Sequence, residues 1–130
     1  MNAARNIREQ RGQTMTEFAL ILPILVLLLF GIIQFGVAFN HYLTVTDAAR
    51  AGARKVVVSR QTANPVGATV AAVRGSAPNL DQSKLSVTVT STWAQGTDVT
   101  VTATYPYKLS LLGVVVKTGN LTSATTERLE

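Results

Sequence analysis

An uncharged run from Phe18 to Phe39, with Glu17 directly before it, constrains this chain more than any other feature of its sequence. Gln34 is the only strongly polar residue in the run. As a helix rising about 1.5 Å per residue, the segment reaches roughly 33 Å, enough for a bilayer core of about 30 Å. The chain has 130 residues, room for one small domain beyond such a segment. From Asn40 onward it is rich in Thr, Ser, Ala and Val and reads as a modest water-soluble domain.

Charge placement gives an orientation. Arg5, Arg8 and Arg11 precede the apolar run, and the next basic residue is Arg50. Positive charge favours the cytoplasmic side, which puts the N-terminus inside and the C-terminal domain outside. The formal net charge is +5, and nine basic and six acidic residues remain without residues 1–12. That surplus is scattered and lacks interleaved stacking aromatics, which argues against a nucleic-acid partner. The chain has no cysteine, so neither a disulfide framework nor a thiolate metal site is available.

A secretory signal peptide also begins with basic residues and an apolar stretch. This run is longer than a signal's apolar core of about 7–15 residues. The nearest small-x-small pattern, Ala49-Arg50-Ala51, falls well past its end. A plain uncleaved anchor fits composition alone. Glu17 departs from it, because an ionisable group at the edge of a membrane helix is costly and marks a functional position. Its bland role is to sit at headgroup level with Arg11 near it in sequence.

Gly12 followed by Glu17, then a long apolar helix, resembles the processing motif of type IV pilin-like proteins. The wider stretch RGQTMTEFALILPILVLLLFGIIQFG, continued by the Ala- and Arg-rich segment 47–55, is similar to the TadE-like pseudopilins, minor pilin-type subunits of the tight-adherence (Flp pilus) system. Glu-Phe-Ala-Leu-x-Leu-Pro at 17–23 is its most specific part. The resemblance implies a leader, residues 1–12, cut off between Gly12 and Gln13 on the cytoplasmic side by a prepilin peptidase. Glu17 becomes the fifth residue of the product. Many type IV pilins begin the mature chain with Phe, whereas this one would begin with Gln13, so cleavage is better supported than methylation of the new amine.

The residues suit that chemistry. Glycine lets the backbone lie extended and close to a protease. A carboxylate at Glu17 stands one helical turn from the new ammonium at Gln13, on the same side. It can offset that charge within its own chain or meet a neighbour's ammonium and set assembly register. Removing one member of such a pair at low dielectric leaves an uncompensated charge.

The helix is expected to run from about Thr14 to Ser59. Pro23 lies inside it, where a kink or a short unwound stretch near residues 19–23 is expected. Gly31 and Gly36 offer small surfaces for another helix, or are ordinary membrane-helix glycines. Beyond Phe39, Val45, Ala48, Ala49, Gly52, Ala53 and Val56 recur at three- and four-residue steps, with Asp47, Arg50 and Arg54 on another side. This amphipathic half, with Ala48 and Gly52 permitting close approach, packs on the protein's own sheet or on a neighbouring subunit. Asn64-Pro65 breaks the helix, and Val66–Gly75 forms a second short one.

The period then becomes two. Leu85, Val87 and Val89, running on to Trp93, and then Val99, Val101, Ala103 and Tyr105, alternate with Ser and Thr around Gln95-Gly96-Thr97, a β-hairpin pattern. Leu121–Leu129 is a weaker third strand. Leu109–Val116 is apolar but too short to span, and reads either as a core strand or as a patch resting on the membrane or a neighbour. The fold expected is α+β: a long N-terminal helix, 13–60, with membrane segment 18–39, packed on a small antiparallel sheet within an outer domain, 61–130. With the resemblance this becomes pilin-like.

No catalytic constellation is visible; the resemblance implies that the chain is an enzyme's substrate rather than an enzyme. His41 is the sole histidine and follows the membrane run. Asp81 and Asp98 fall in turn and strand-start positions, where short carboxylates are locally favoured. Trp93 reads as core or as an anchor on the sheet face. No glycine-rich phosphate loop is present, and no cofactor is expected. The resemblance implies other pilin subunits, the Tad assembly machinery and the inner membrane as surroundings. Two alternatives stay open: an uncleaved single-pass anchor with a protein-binding outer domain, and a major filament subunit.

Overall fold

A computed structural model describes residues 2–130, with side chains from Gly12 onward. The side chains of Arg5, Arg8 and Arg11, which carry the orientation expectation, lie outside the description, as do the other side chains before Gly12 in the segment read as a leader. Among the described residues the chain forms helices α1 (Asn2–Ser59) and α2 (Pro65–Gly75) and strands β1 (Ser86–Ser91), β2 (Asp98–Leu111) and β3 (Val114–Arg128). The strands make one antiparallel sheet in the order β1-β2-β3. The architecture is the α+β arrangement expected from the sequence.

α1 is continuous through the membrane-length segment and into the folded domain. Its 48 residues from Gly12 to Ser59 extend roughly 72 Å. Pro23 sits inside it without the short unwound stretch, one of the two outcomes expected near residues 19–23. Proline forfeits one backbone hydrogen bond, and intact helical turns on both sides hold the backbone there.

The outer half of α1 buries the predicted stripe. Val45, Ala48, Ala49, Gly52, Ala53 and Val56 are all inaccessible. They face Val99, Val101, Ala103 and Tyr105 on β2, and Val73 on α2. Small residues are required here. A Cβ built on Gly52 would collide with Val73 Cγ2 and stand 3.0 Å from Val101 Cγ1. The stripe therefore packs within its own chain.

α2 begins where its sequence says it must. The Asn64 side chain accepts a hydrogen bond from the Gly67 amide at 2.8 Å, and Pro65 fills the first turn, where its missing N–H costs nothing. The loop after α2 is held by polar contacts. Arg74 donates to the Gln82 carbonyl at 2.6 Å, and the Gln82 amide donates to the Ala77 carbonyl at 2.7 Å. Asp81 accepts from the Ser83 hydroxyl at 2.6 Å and pairs with Lys84 at 3.1 Å. These contacts present Leu80 and Leu85 to the core.

β1 and β2 pair as the alternation predicts, with Val89 opposite Val101 and Val87 opposite Ala103. The threonine face turns outward, where Thr100 and Thr126 hydroxyls bond across the strands at 2.8 Å. β3 differs from expectation. It starts at Val114 rather than Leu121, because Leu109–Val116 folds into a second hairpin whose turn is Leu112-Gly113. Leu129 then closes the core, its amide donating to the Thr97 carbonyl at 2.8 Å.

Two measurements follow from this packing. Gly52→Leu forces a bulky side chain between α1, α2 and β2, a change that costs about 1–3 kcal/mol. In detergent, the melting of the outer domain followed by Trp93 fluorescence should fall by at least about 4 °C. Gly36→Ala, which meets nothing within 4 Å, should leave that transition in place. The second concerns Asp81, whose carboxyl is lowered to about 2 by the Ser83 hydroxyl first, then by Lys84 and the Ser83 amide. A depressed carboxyl stabilises the fold above its unfolded value of 3.8 and loses that contribution as pH falls towards about 2. Asp81→Asn should flatten the acid limb of the stability profile in that window. Because the group is exposed, the effect is small, and an unchanged acid limb would show that the loop contact does not contribute.

Candidate functional site

The Gly12–Phe18 junction lies on helical backbone, so its residues face one another at turn spacing. Gln13 Nε2 donates to Glu17 Oε1 at 3.0 Å, four residues apart on one face. Thr16 Oγ1 donates back to the Gly12 carbonyl at 2.9 Å. Gly12 has open space where a side chain would stand. The structure thus brings Gln13 and Glu17 into contact, with Gly12 one residue away along the chain and exposed. Glycine at this point weakens the helix by about 1 kcal/mol relative to alanine, the direction that favours local opening.

From Phe18 to Phe39 most side chains are exposed, with Val26, Gly31, Gln34 and Ala38 partly covered. Phe18, Leu20, Ile24 and Leu28 are each more than half exposed. Gly31 and Gly36 have no neighbour within 4 Å of a built Cβ, so neither packs closely against anything in this chain. The helix is long and apolar enough to cross a membrane, and its most apolar window buries nothing inside the molecule. Ala48 and Gly52, by contrast, are consumed by the domain's own core.

Further along α1, Gly31, Gln34, Ala38 and His41 are only partly exposed, because they share a face with the β2–β3 hairpin. The His41 and Tyr105 rings meet in a T-shaped arrangement at a centroid distance of 5.5 Å, an aromatic contact of the domain. Trp93 packs at the margin of the core. Asp47 and Arg50 form an exposed pair at 3.6 Å that contributes little. Asp98 opens β2, as its position in the sequence suggested.

One feature escaped the sequence reading. A cleft of about 420 Å³ separates α1 from the base of the β2–β3 hairpin, with Phe35, Phe39 and Tyr42 on one wall and Tyr107, Leu109 and Lys117 on the other. A second, of about 210 Å³, lies between Gly31, Gln34 and Phe35 and the hairpin tip at Ser110, Leu111 and Val116. The available signal was the pair Lys108 and Lys117 bracketing the apolar octet 109–116.

No curated protein and no solved structure matches the chain. The family model described as TadE-like protein matches residues 12–54, from the junction glycine through the apolar segment into the buried stripe, so the likeness covers about a third of the chain.

Proposed function

We propose that this chain is the precursor of a minor pilin-like subunit of a Tad/Flp-type pilus. A prepilin peptidase cuts it between Gly12 and Gln13 on the cytoplasmic side of the inner membrane. The outer domain faces away from the cytoplasm, and the product joins or initiates a filament used for surface adherence or secretion. Its role is structural, with other pilin subunits and the Tad assembly machinery as partners.

The observation that supports this reading is the division of α1. Its outer half is covered by the chain's own sheet and second helix, whereas its inner half has Gln34 as its one strongly polar residue and exposes most of its large apolar side chains. A membrane holds such a segment, and so does a bundle of like helices. The carboxylate of Glu17 stands at the head of that segment, one turn from residue 13. An anchor needs no carboxylate there; a subunit that must match its neighbour's new ammonium does. Cleavage requires the helix to open at Gly12, where the glycine makes extension least costly.

Mass spectrometry of the N-terminus, from cells with an active prepilin peptidase, should find a chain starting at Gln13. A start at Met1 or Asn2 would favour the uncleaved anchor. Gly12→Leu should leave the precursor uncut in the membrane. Glu17→Ala should be cut normally yet lower the amount of this protein in purified filaments by about tenfold or more, the factor that about 1.4 kcal/mol sets. Normal incorporation of that variant would remove Glu17 from the assembly step. Copy number in the same filaments separates a minor subunit from a major one.

A further inference from the structure

We infer that the β2–β3 hairpin tip, Leu111 to Val116, is a second membrane contact, entering the leaflet on the side of the folded domain beside α1. The inference rests on residues 18–39 crossing the bilayer, as proposed above. The tip carries no polar side chain: Leu111, Leu112, Val114, Val115 and Val116 surround Gly113. Leu112, Val114, Val115 and Val116 are each more than half exposed.

The turn itself is unusual. Leu112 has φ 50° and Gly113 φ 85°, so both central residues are left-handed, as in a tight hairpin turn. Asparagine, aspartate or glycine normally takes the first position, and an exposed leucine there is strained. A water-facing turn has no use for that leucine.

Position commits the tip to lipid. It shares a cleft with Gly31, Gln34 and Phe35, inside the apolar run rather than beyond it. Gly31 lies eight residues before Phe39, about 12 Å along the helix. A tip beside Gly31 therefore stands close to the depth of about 5–10 Å that interfacial segments reach. The unpaired outer edges of the two strands keep it at the headgroup–acyl boundary, because bare backbone cannot enter deep hydrocarbon.

The base of the hairpin carries the residues of a membrane interface. Lys108 and Lys117 flank the apolar octet, Tyr42 and Tyr107 line the adjoining cleft, and no acid occurs between Asp98 and Glu127. Lysines extend to headgroups from apolar stems, and tyrosines favour the same layer. Acyl chains fill the apolar cleft between hairpin and helix. Lys117 on its wall favours an anionic headgroup.

The absence of cysteine gives a clean test. Val115→Cys and Leu112→Cys, each spin-labelled in the full chain, are compared with Leu25→Cys in the apolar run and Thr88→Cys on β1. The chain is reconstituted in vesicles of phosphatidylethanolamine and phosphatidylglycerol, and each label is probed with oxygen and with a water-soluble nickel chelate. Labels at Val115 and Leu112 should resemble that at Leu25, exposed to oxygen and several-fold less accessible to nickel than Thr88. Nickel-accessible tip labels with a protected Leu25 would overturn the lipid contact and leave the anchor reading standing. Tip labels shielded from both probes, with broadening that vanishes on dilution by unlabelled protein, would overturn it in favour of a second chain. Nickel access at Leu25 would remove the anchor reading and the tip contact together.

Discussion

Val73 and Val101 meet α1 at Gly52, where the missing side chain lets a second helix and the central strand approach the same turn. Around that point Ala48, Ala49 and Ala53 keep the interface shallow enough for the sheet to lie along the helix. Each apolar side chain removed from water here contributes about 1.5–3 kcal/mol if it is valine-sized, and less for alanine. With so few large residues, the core depends on close approach rather than on bulk. Leu129 at the end of the chain and Leu80 and Leu85 in the loop supply the larger side chains at its margins.

This contact fixes more than the domain. Because α1 is one helix, anchoring residues 45–56 on the sheet also sets which face of residues 31–41 looks towards the β2–β3 hairpin. Gly31, Gln34, Ala38 and His41 fall on that face at helical spacing. Gln34, the sole strongly polar residue of the apolar run, thereby shares a cleft with Ser110.

Most of the fold was legible because its periods are clean. The three- and four-residue recurrence from Val45 to Val56 marked the buried stripe, and the two-residue alternation in Val99–Tyr105 marked the inward face of β2. Asn64-Pro65 marked the start of α2 through local chemistry that tertiary context does not override. The second hairpin was harder to see. Its turn is Leu-Gly rather than Asn-Gly, and a register shift at Leu109/Ser110 breaks the alternation. On β3 the inward positions Ser123 and Thr125 are polar, since they sit at the margin of the core, so the burial pattern left little trace in hydrophobicity. The junction was legible as a motif. Its side-chain contact between Gln13 and Glu17 is a consequence of helix geometry that the spacing implies.

On the proposed reading, in which residues 18–39 cross a bilayer, the two ends of that segment are mechanically coupled, and this bears on why a carboxylate stands at one of them. If the hairpin tip stops at the headgroup–acyl boundary, Phe35 to Phe39 lie at headgroup level beside it. Residues 18–34 then remain for the hydrocarbon, about 26 Å of helix against a core of about 30 Å. Tilting shortens that reach further, so the mismatch draws the other end of the helix inward. Glu17 is the group brought towards the acyl region, where an unpaired carboxylate is costly. Its contact with the neutral amide of Gln13 satisfies one oxygen and offsets none of its charge. An ammonium at residue 13, on the same or a neighbouring chain, would do both. On that reading the height of the folded domain above the membrane and the pairing demand at the far end of the helix are parts of one constraint, set by where the sheet holds α1.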